Sequence, residues 1–251
     1  MGSHAVILSP HFDDAVLSCW HLLAGAGEVL VVNVFAGEPA AGVLGWWDRL
    51  AGATDSAATV RMRIEEDRQA LALAGRAAVN LPFLDSQYRQ PDQASEADQA
   101  SEEIVEALRG VVAAGARIYA PASLGDHHRD HTAVRAAALA LHAEGANLVL
   151  YADLPHATVC GWPPWVLDGA SSTGADRAGE LWASQLRATG IPVERMVAAA
   201  HRLPADDHAR KLEAVLAYRS QTGPLELLFG SSLEDPQLLG FEVAWRLPLM
   251  A

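Results

Sequence analysis

The sequence predicts an α/β fold in which helices cover a mostly parallel β-sheet. Short apolar, β-branched runs recur along the chain, and segments rich in helix formers separate them. Several of these runs carry no internal charge, which suits interior strands covered on both faces. Strand–helix alternation of this kind is what parallel pairing with crossover helices demands. Of the 251 residues, 51% are hydrophobic and 20% charged, enough to bury a sheet that can hold a rigid polar site.

Ala5–Ser9 (AVILS) reads as a short buried strand, and Ala15–Gly27 as a helix with a glycine-rich stop. Glu28–Gly37 is β-branched and apolar with no charge after its first residue, and reads as an interior strand. Glu38–Ala57 holds Gly, Pro, Trp46 and Trp47 with weak periodicity, so it reads as a long loop with room for a short helix. A helix at Ala58–Leu73 then leads to a strand at Ala77–Leu81, and a helix at Ser101–Ala113 to a strand at Arg117–Ala122. His131–Gly145 has strong helix formers and a glycine stop, and Asn147–Pro155 follows as a strand. A helix at Asp207–Arg219 and a strand at Val243–Leu247 close the pattern. No internal repeat, charged tail or composition break divides the chain, so a single domain over residues 1–251 is expected.

Lys+Arg number 18 against 31 Asp+Glu, a formal charge of −13. That field opposes nonspecific binding to nucleic acid or to an acidic membrane surface. No apolar run approaches the length of a membrane helix. The N-terminus lacks a basic region followed by a secretory apolar segment, so a cytoplasmic location is expected. Cys19 and Cys160 have no metal-site spacing and read as reduced structural thiols. Nothing in the sequence fixes an oligomeric state.

In a parallel sheet the carboxyl ends of the strands form the ligand crevice. "SPHFDD", Ser9–Asp14, lies at the first strand exit; "GDHHRDH", Gly125–His131, follows the strand ending near Ala122; Asp153–His156 follows the next. His11 and Asp14, joined by one histidine of the second cluster, would give a mixed His/Asp/His set that leaves room for water. Such a set favours Zn2+ over magnesium, with another catalytic divalent transition metal as the alternative. His131, at the mouth of the helix, is the preferred ligand, and Asp13 the natural base for the water proton. Either His127 or His128 can share a helical face with His131, with His128 preferred for proton work. The competing explanations are plain ones: Asp13 and Asp14 capping a helix, and the histidines forming a solvated turn.

The combined pattern resembles the LmbE-like, or PIG-L-like, family of zinc-dependent N-deacetylases. "SPHFDDA" is similar to the family's "AHPDDE" opening, with Phe12 and Ala15 departing from its proline and glutamate. "RIEEDRQALALAG" at Arg63–Gly75 and "FLDSQYR" at Phe83–Arg89 resemble its next elements. "HRDH" at His128–His131 matches its His-x-Asp-His form, and "YADLPH" at Tyr151–His156 resembles a YEDLPY-like element. "YRSQ" at Tyr218–Gln221 and "FEVAWR" at Phe241–Arg246 resemble its late elements.

The resemblance implies a Rossmann-like three-layer α/β sandwich without a glycine-rich nucleotide loop. It implies His11, Asp14 and His131 as metal ligands, Asp13 and His128 as catalysts, and Asp130 orienting His128. Candidate substrate contacts are Arg63, Asp85, Tyr88, Arg89, Asp153 and His156, while Glu66 reads as structural. The implied reaction removes an N-acetyl group from an amino sugar or glycoconjugate, so the expected partner is a small N-acylated, sugar-containing substrate. Two alternatives remain: a zinc amidohydrolase acting on a specialised non-sugar metabolite, and a noncatalytic metabolite- or partner-binding module. Trp46, Trp47, Trp162 and Trp165 could frame an entrance or pack in the core.

Overall fold

The computed structural model describes residues 4–89, 96–125, 128–167 and 176–249. Among them, strands β1 (Ala5–Ser9), β2 (Val29–Asn33), β3 (Ala78–Asn80), β4 (Arg117–Pro121), β5 (Asn147–Tyr151), β6 (Val197–Arg202) and β7 (Phe241–Arg246) form one sheet. Its order is β3-β2-β1-β4-β5-β7-β6. β1 to β5 pair in parallel, whereas β7 runs antiparallel to both β5 and β6.

The helices are α1 (Asp14–Ser18), α2 (Trp20–Leu23), α3 (Trp46–Leu50), α4 (Ser56–Ala72), α5 (Glu96–Val111), α6 (Arg129–Ala143), α7 (Pro164–Leu167), α8 (Arg177–Arg187), α9 (Ala205–Leu216), α10 (Arg219–Phe229) and α11 (Pro236–Leu239). Successive residues of the strands divide between two apolar layers. Val6, Leu8, Ile118, Leu148 and Leu150 pack with residues of α5, α6 and α8. Ile7, Val31, Tyr119, Val149 and Tyr151 pack with residues of α1, α2, α4, α9, α10 and α11. The result is the expected three-layer sandwich, because period-2 alternation gives each strand an apolar face on both sides. Among the described residues, no helix is long and apolar enough to cross a membrane.

The chain leaves β1 toward β2 and β3, then returns to place β4 on the other side of β1. This reversal opens a crevice at the carboxyl ends of β1 and β4, the position where α/β sheets bind ligands. His11 lies just beyond one lip of that crevice, and α6 begins beyond the other.

Several elements differ from the expectation. The predicted Ala15–Gly27 helix is two short helices, and its chain direction changes at Cys19, where φ is −134°. The Glu242 carboxylate accepts from the N–H groups of Trp20 and His21, which supplies α2 with an anionic cap of its own. β6 is exposed along most of its length, and its Val-Ala-Ala-Ala start lacks the β-branched signal of an interior strand. α10 carries Pro224 internally, next to Gly223, a pair that reads as a turn in sequence. Cys19 is buried and Cys160 exposed, and neither forms a disulfide.

Candidate metal centre

β1 ends in Ser9, whose hydroxyl donates to the His11 carbonyl at 2.6 Å and accepts from Ala15 N–H at 2.9 Å. These bonds fold the segment after the strand into a tight turn. Asp14 closes the same turn, its Oδ2 accepting from His11 N–H at 2.8 Å. Asp13 occupies the N-cap position of α1 but makes no side-chain capping bond. Capping therefore does not explain its carboxylate, which is buried and borders the cavity.

On the facing side, Ser123 and Gly125 adopt positive φ before α6. Gly125 is required twice over: its φ is +84°, and a Cβ there would meet the His156 carbonyl oxygen at 1.9 Å. Gln185 of α8 braces the turn, accepting from Gly125 N–H at 3.0 Å and donating to its carbonyl at 2.8 Å. His127 lies outside the described residues. His128 is the N-cap of α6, its Nδ1 accepting from Asp130 N–H at 3.3 Å.

The tautomers follow from the neighbours. His11 Nε2 lies 3.1 Å from Asp130 Oδ2, and His131 Nδ1 lies 2.8 Å from Asp153 Oδ1. An ionised carboxylate only accepts, so each contact fixes the ring proton on that nitrogen. Burial would raise Asp130, but its hydrogen bond to His11 and the charges of His11 and Arg89 hold it well below the usual carboxylate range. The remaining nitrogens, His11 Nδ1 and His131 Nε2, each lie 3.4 Å from Asp14 Oδ2. His131 Nε2 is buried without a hydrogen-bond partner.

Donors about 2.0–2.1 Å from a tetrahedral cation stand about 3.3–3.4 Å from one another. Both nitrogen-to-oxygen separations at Asp14 match that spacing, as a divalent cation shared by His11, Asp14 and His131 would require. His11, His128 and His131 also bring ring nitrogens within 4.8 Å of one another, as do donor atoms of His11, Asp85 and Asp130. With His128 Nδ1 accepting, its proton sits on Nε2, which disfavours the three-histidine set. In the third set, His11 uses Nε2 to bond Asp130 and is already engaged.

Burial and charge divide the acids and bases. Burial raises Asp13 to about 6, with the Asp14 charge adding to the rise. Burial would also raise Asp14, but His131 and His11 hold it well below the usual range. Burial first, with the charges of neighbouring His11 and His131, lowers His128 to about 3. His128 is therefore a neutral ring at ordinary pH.

The structure sorts the other sequence-predicted residues. Arg63, Asp85, Tyr88 and His156 line a cavity of about 170 Å3 together with His11, Asp13, Asp14 and His128. Arg63 Nη2 lies 2.6 Å from Asp48 Oδ1, and Tyr88 OH donates to Asp48 Oδ2 at 2.7 Å. Asp85 accepts from Gln87 N–H and lies 3.9 Å from His11 Nε2. Asp153 is a correction: it is fully buried behind His131, its second oxygen accepting from Leu124 N–H, so it cannot reach a substrate. Arg89 pairs with Asp130 and stands 5.3 Å over the ring of Phe35, which lines the cavity, while Arg89 itself is not among the lining residues. The Asp130 carboxylate bonds His11; toward His128 the hydrogen bond comes from the Asp130 backbone N–H, and the carboxylate acts through its charge.

Glu66 accepts from the Ser220 N–H and hydroxyl. Trp46 and Trp47 line the cavity. Trp162 instead packs against the core and donates to the Gln237 carbonyl, while Trp165 lies 6.3 Å from the Trp182 ring. Asp48 and Asp67 were not singled out in the sequence. Asp48 stands alone and Asp67 ends the acidic run Glu65–Asp67, and only their tertiary partners give them meaning.

Comparison with curated proteins finds no match. Among solved structures, a deacetylase in the biosynthesis pathway of teicoplanin is 25% identical, with TM-score 0.69 and 97% of each chain covered. The A40926 pseudoaglycone deacetylase Dbv21 is 23% identical, with TM-score 0.68, covering 100% of this chain and 99% of that one. The N,N'-diacetylchitobiose deacetylase from Pyrococcus horikoshii is 16% identical, with TM-score 0.50, covering 87% and 70%. The family model for PIG-L, GlcNAc-PI de-N-acetylase, matches residues 6–142, a segment holding both clusters of the centre. With more than half its length matched and both metal-facing turns inside the match, the chain belongs to the PIG-L deacetylase family.

Proposed function

We propose that the protein is a zinc-dependent amidohydrolase that removes an N-acetyl group from an amino sugar or glycoconjugate. The convergence of His11 Nδ1, Asp14 Oδ2 and His131 Nε2, each nitrogen 3.4 Å from the carboxylate oxygen, carries this reading. A borderline-soft N/O donor set of this kind suits zinc better than magnesium. When bound, such a cation supplies Lewis acidity and makes water acidic enough to be deprotonated near neutral pH.

This chain's residues would do the rest. Asp13, with its affinity for protons raised to about 6, accepts the proton of the attacking water. His128, neutral and protonated on Nε2, donates a hydrogen bond to the oxygen on which negative charge develops. Asp13 then returns the proton to the departing nitrogen. The C–N bond breaks, and one amide and one water become acetate and a primary amine. Asp130 and Asp153 hold the His11 and His131 rings, fixing the nitrogens that face the cation. Arg63, positioned by Asp48, and Asp85 offer polar contacts to substrate hydroxyls.

A deacetylase in the biosynthesis pathway of teicoplanin and an N,N'-diacetylchitobiose deacetylase share this fold, which supports removal of an acetyl group. The test is turnover of zinc-loaded protein on N-acetylated amino sugars, glycoconjugates and non-sugar amides, followed by mass spectrometry with a metal-depleted control. Acetate loss from sugar substrates is expected. Exclusive processing of non-sugar amides would replace the substrate class, leaving the metal chemistry intact.

A further inference from the structure

We propose that the substrate carries a bulky apolar group, and that Trp46, Leu225, Leu228 and Phe229 bind it beside the metal centre. This rests on the deacylase function proposed above, since both concern one cavity. The cavity lining is mixed: Arg63, Asp85 and Gln87 supply polar groups, and Trp46 of α3 with Leu225, Leu228 and Phe229 of α10 supplies the apolar part, the α3/α10 wall.

On the α3/α10 wall the polar side chains are already engaged. Trp47 Nε1 donates to Gln221 Oε1 at 2.8 Å, and Gln221 Nε2 donates to Ser220 Oγ at 2.8 Å. Sugar hydroxyls laid against this wall would lose water and gain no partner. Its apolar groups are uncovered nonetheless: Trp46 is 56% and Leu228 50% exposed. Two such side chains at the mouth of a reactive cavity make contact area that an apolar ligand group would remove from water.

The wall is also continuous with the centre. The Phe229 ring meets His156 edge-on at 4.9 Å, and His156 meets His131 at 4.9 Å. The cavity volume of about 170 Å3 exceeds what an acetyl methyl fills and matches a space that holds a ring the size of benzene, roughly 150 Å3. The apolar group has two possible origins, the acyl chain itself or an aglycone on the amine side. Both present the same hydrocarbon surface.

The test uses two ligand series with the full-length protein, read by calorimetry below micelle-forming concentrations. One series lengthens the aglycone, from methyl through butyl to octyl glycosides of N-acetylglucosamine. The other lengthens the acyl chain, from N-acetyl through N-butanoyl to N-octanoyl glucosamine. In at least one series Kd falls about fourfold per methylene buried until the cavity is filled, and that series identifies the origin of the group. Trp46→Ala and Leu228→Glu, both at exposed positions, reduce the slope of that series. Kd independent of chain length in both series, or slopes unchanged in both variants, overturns the inference. Turnover of the same compounds by zinc-loaded protein separates the two claims. Hydrolysis with no chain-length preference in binding keeps the deacylase and removes the apolar subsite. Chain-dependent binding without hydrolysis keeps the subsite and removes the deacylase.

Discussion

Two buried charged clusters sit near the carboxyl edge of the sheet, and they differ in one respect that separates structure from chemistry. Behind β7, Glu242 and Lys211 are both fully buried and 2.6 Å apart. The same carboxylate accepts from Trp20 N–H, His21 N–H and His21 Nδ1. Burial would raise Glu242, but Lys211 and His21 hold it down at about 2. This cluster is saturated: the charges cancel and the lone pairs are occupied. At the β1/β4 crevice, by contrast, Asp14 faces His11 Nδ1 and His131 Nε2 at 3.4 Å each, and His131 Nε2 has no hydrogen-bond partner. A buried polar group left unmatched is costly, so its persistence points to a ligand that completes it. Saturation, more than burial or residue type, distinguishes the two.

The contrast breaks if catalysis survives loss of the unsaturated cluster's base. Asp13→Asn keeps the shape and the metal ligands, so zinc affinity in a chelator competition stays within a few-fold while kcat falls about 10²–10⁴-fold. Near-normal turnover in the zinc-loaded variant would remove Asp13 from that role. The saturated cluster predicts the opposite pattern. Lys211→Ala strands the Glu242 charge and lowers unfolding stability by about 3–5 kcal/mol, read by denaturant titration, with zinc affinity unchanged. A smaller effect tests the supports of the centre. Asp153→Asn weakens the hold on the His131 ring and costs about 10–100-fold in zinc affinity. Unaltered affinity would mean that His131 is held by its packing alone.

Legibility in the sequence follows the same division. The parallel strands β1, β2, β4 and β5 announce themselves as uncharged apolar runs, because burial on both faces leaves few other compositions. His11, Asp13, Asp14, His128 and His131 stand out in the sequence because reactive groups crowd into two short segments at strand exits, and the fold brings those segments together. Asp153 was expected on the substrate because it follows a strand exit, but sequence position cannot tell which side of a histidine an acid occupies. For Asp130 the family resemblance implied His128 as the partner, whereas the turn of α6 brings its carboxylate to His11. β6 and α10 escaped notice because an exposed Ala-rich edge and an internal Gly-Pro pair contradict the local preferences of the elements they form. The Glu242–Lys211 pair spans 31 residues, a separation that no local pattern encodes.

A third buried acid falls between the two clusters and sharpens the contrast. Tyr218 OH lies 3.0 Å from the Phe12 carbonyl and 2.7 Å from Asp67 Oδ1. A hydroxyl has one proton, and the carbonyl can only accept. Both contacts are hydrogen bonds if Asp67 itself carries a proton and donates it to Tyr218, while its Oδ2 accepts from Asn33 Nδ2 at 2.8 Å. Burial raises Asp67 to about 7, opposed by the Tyr218 and Asn33 hydrogen bonds and assisted by the Asp13 charge. In the unfolded chain the group titrates near 3.9. The folded state therefore holds this proton longer, and the stability it contributes is complete below about pH 4 and lost as pH rises toward 7. The slope for one proton is at most about 1.4 kcal/mol per pH unit. Asp67→Asn reproduces the neutral pattern, its amide nitrogen donating to Tyr218 and its oxygen accepting from Asn33. Melting temperatures of variant and wild type should nearly coincide at pH 4 and separate between pH 4 and 7, the variant being the more stable. If wild type instead gains stability relative to Asp67→Asn over that interval, Asp67 is ionised in the fold, Tyr218 donates to it, and the Phe12 carbonyl beneath the catalytic turn is held by something else.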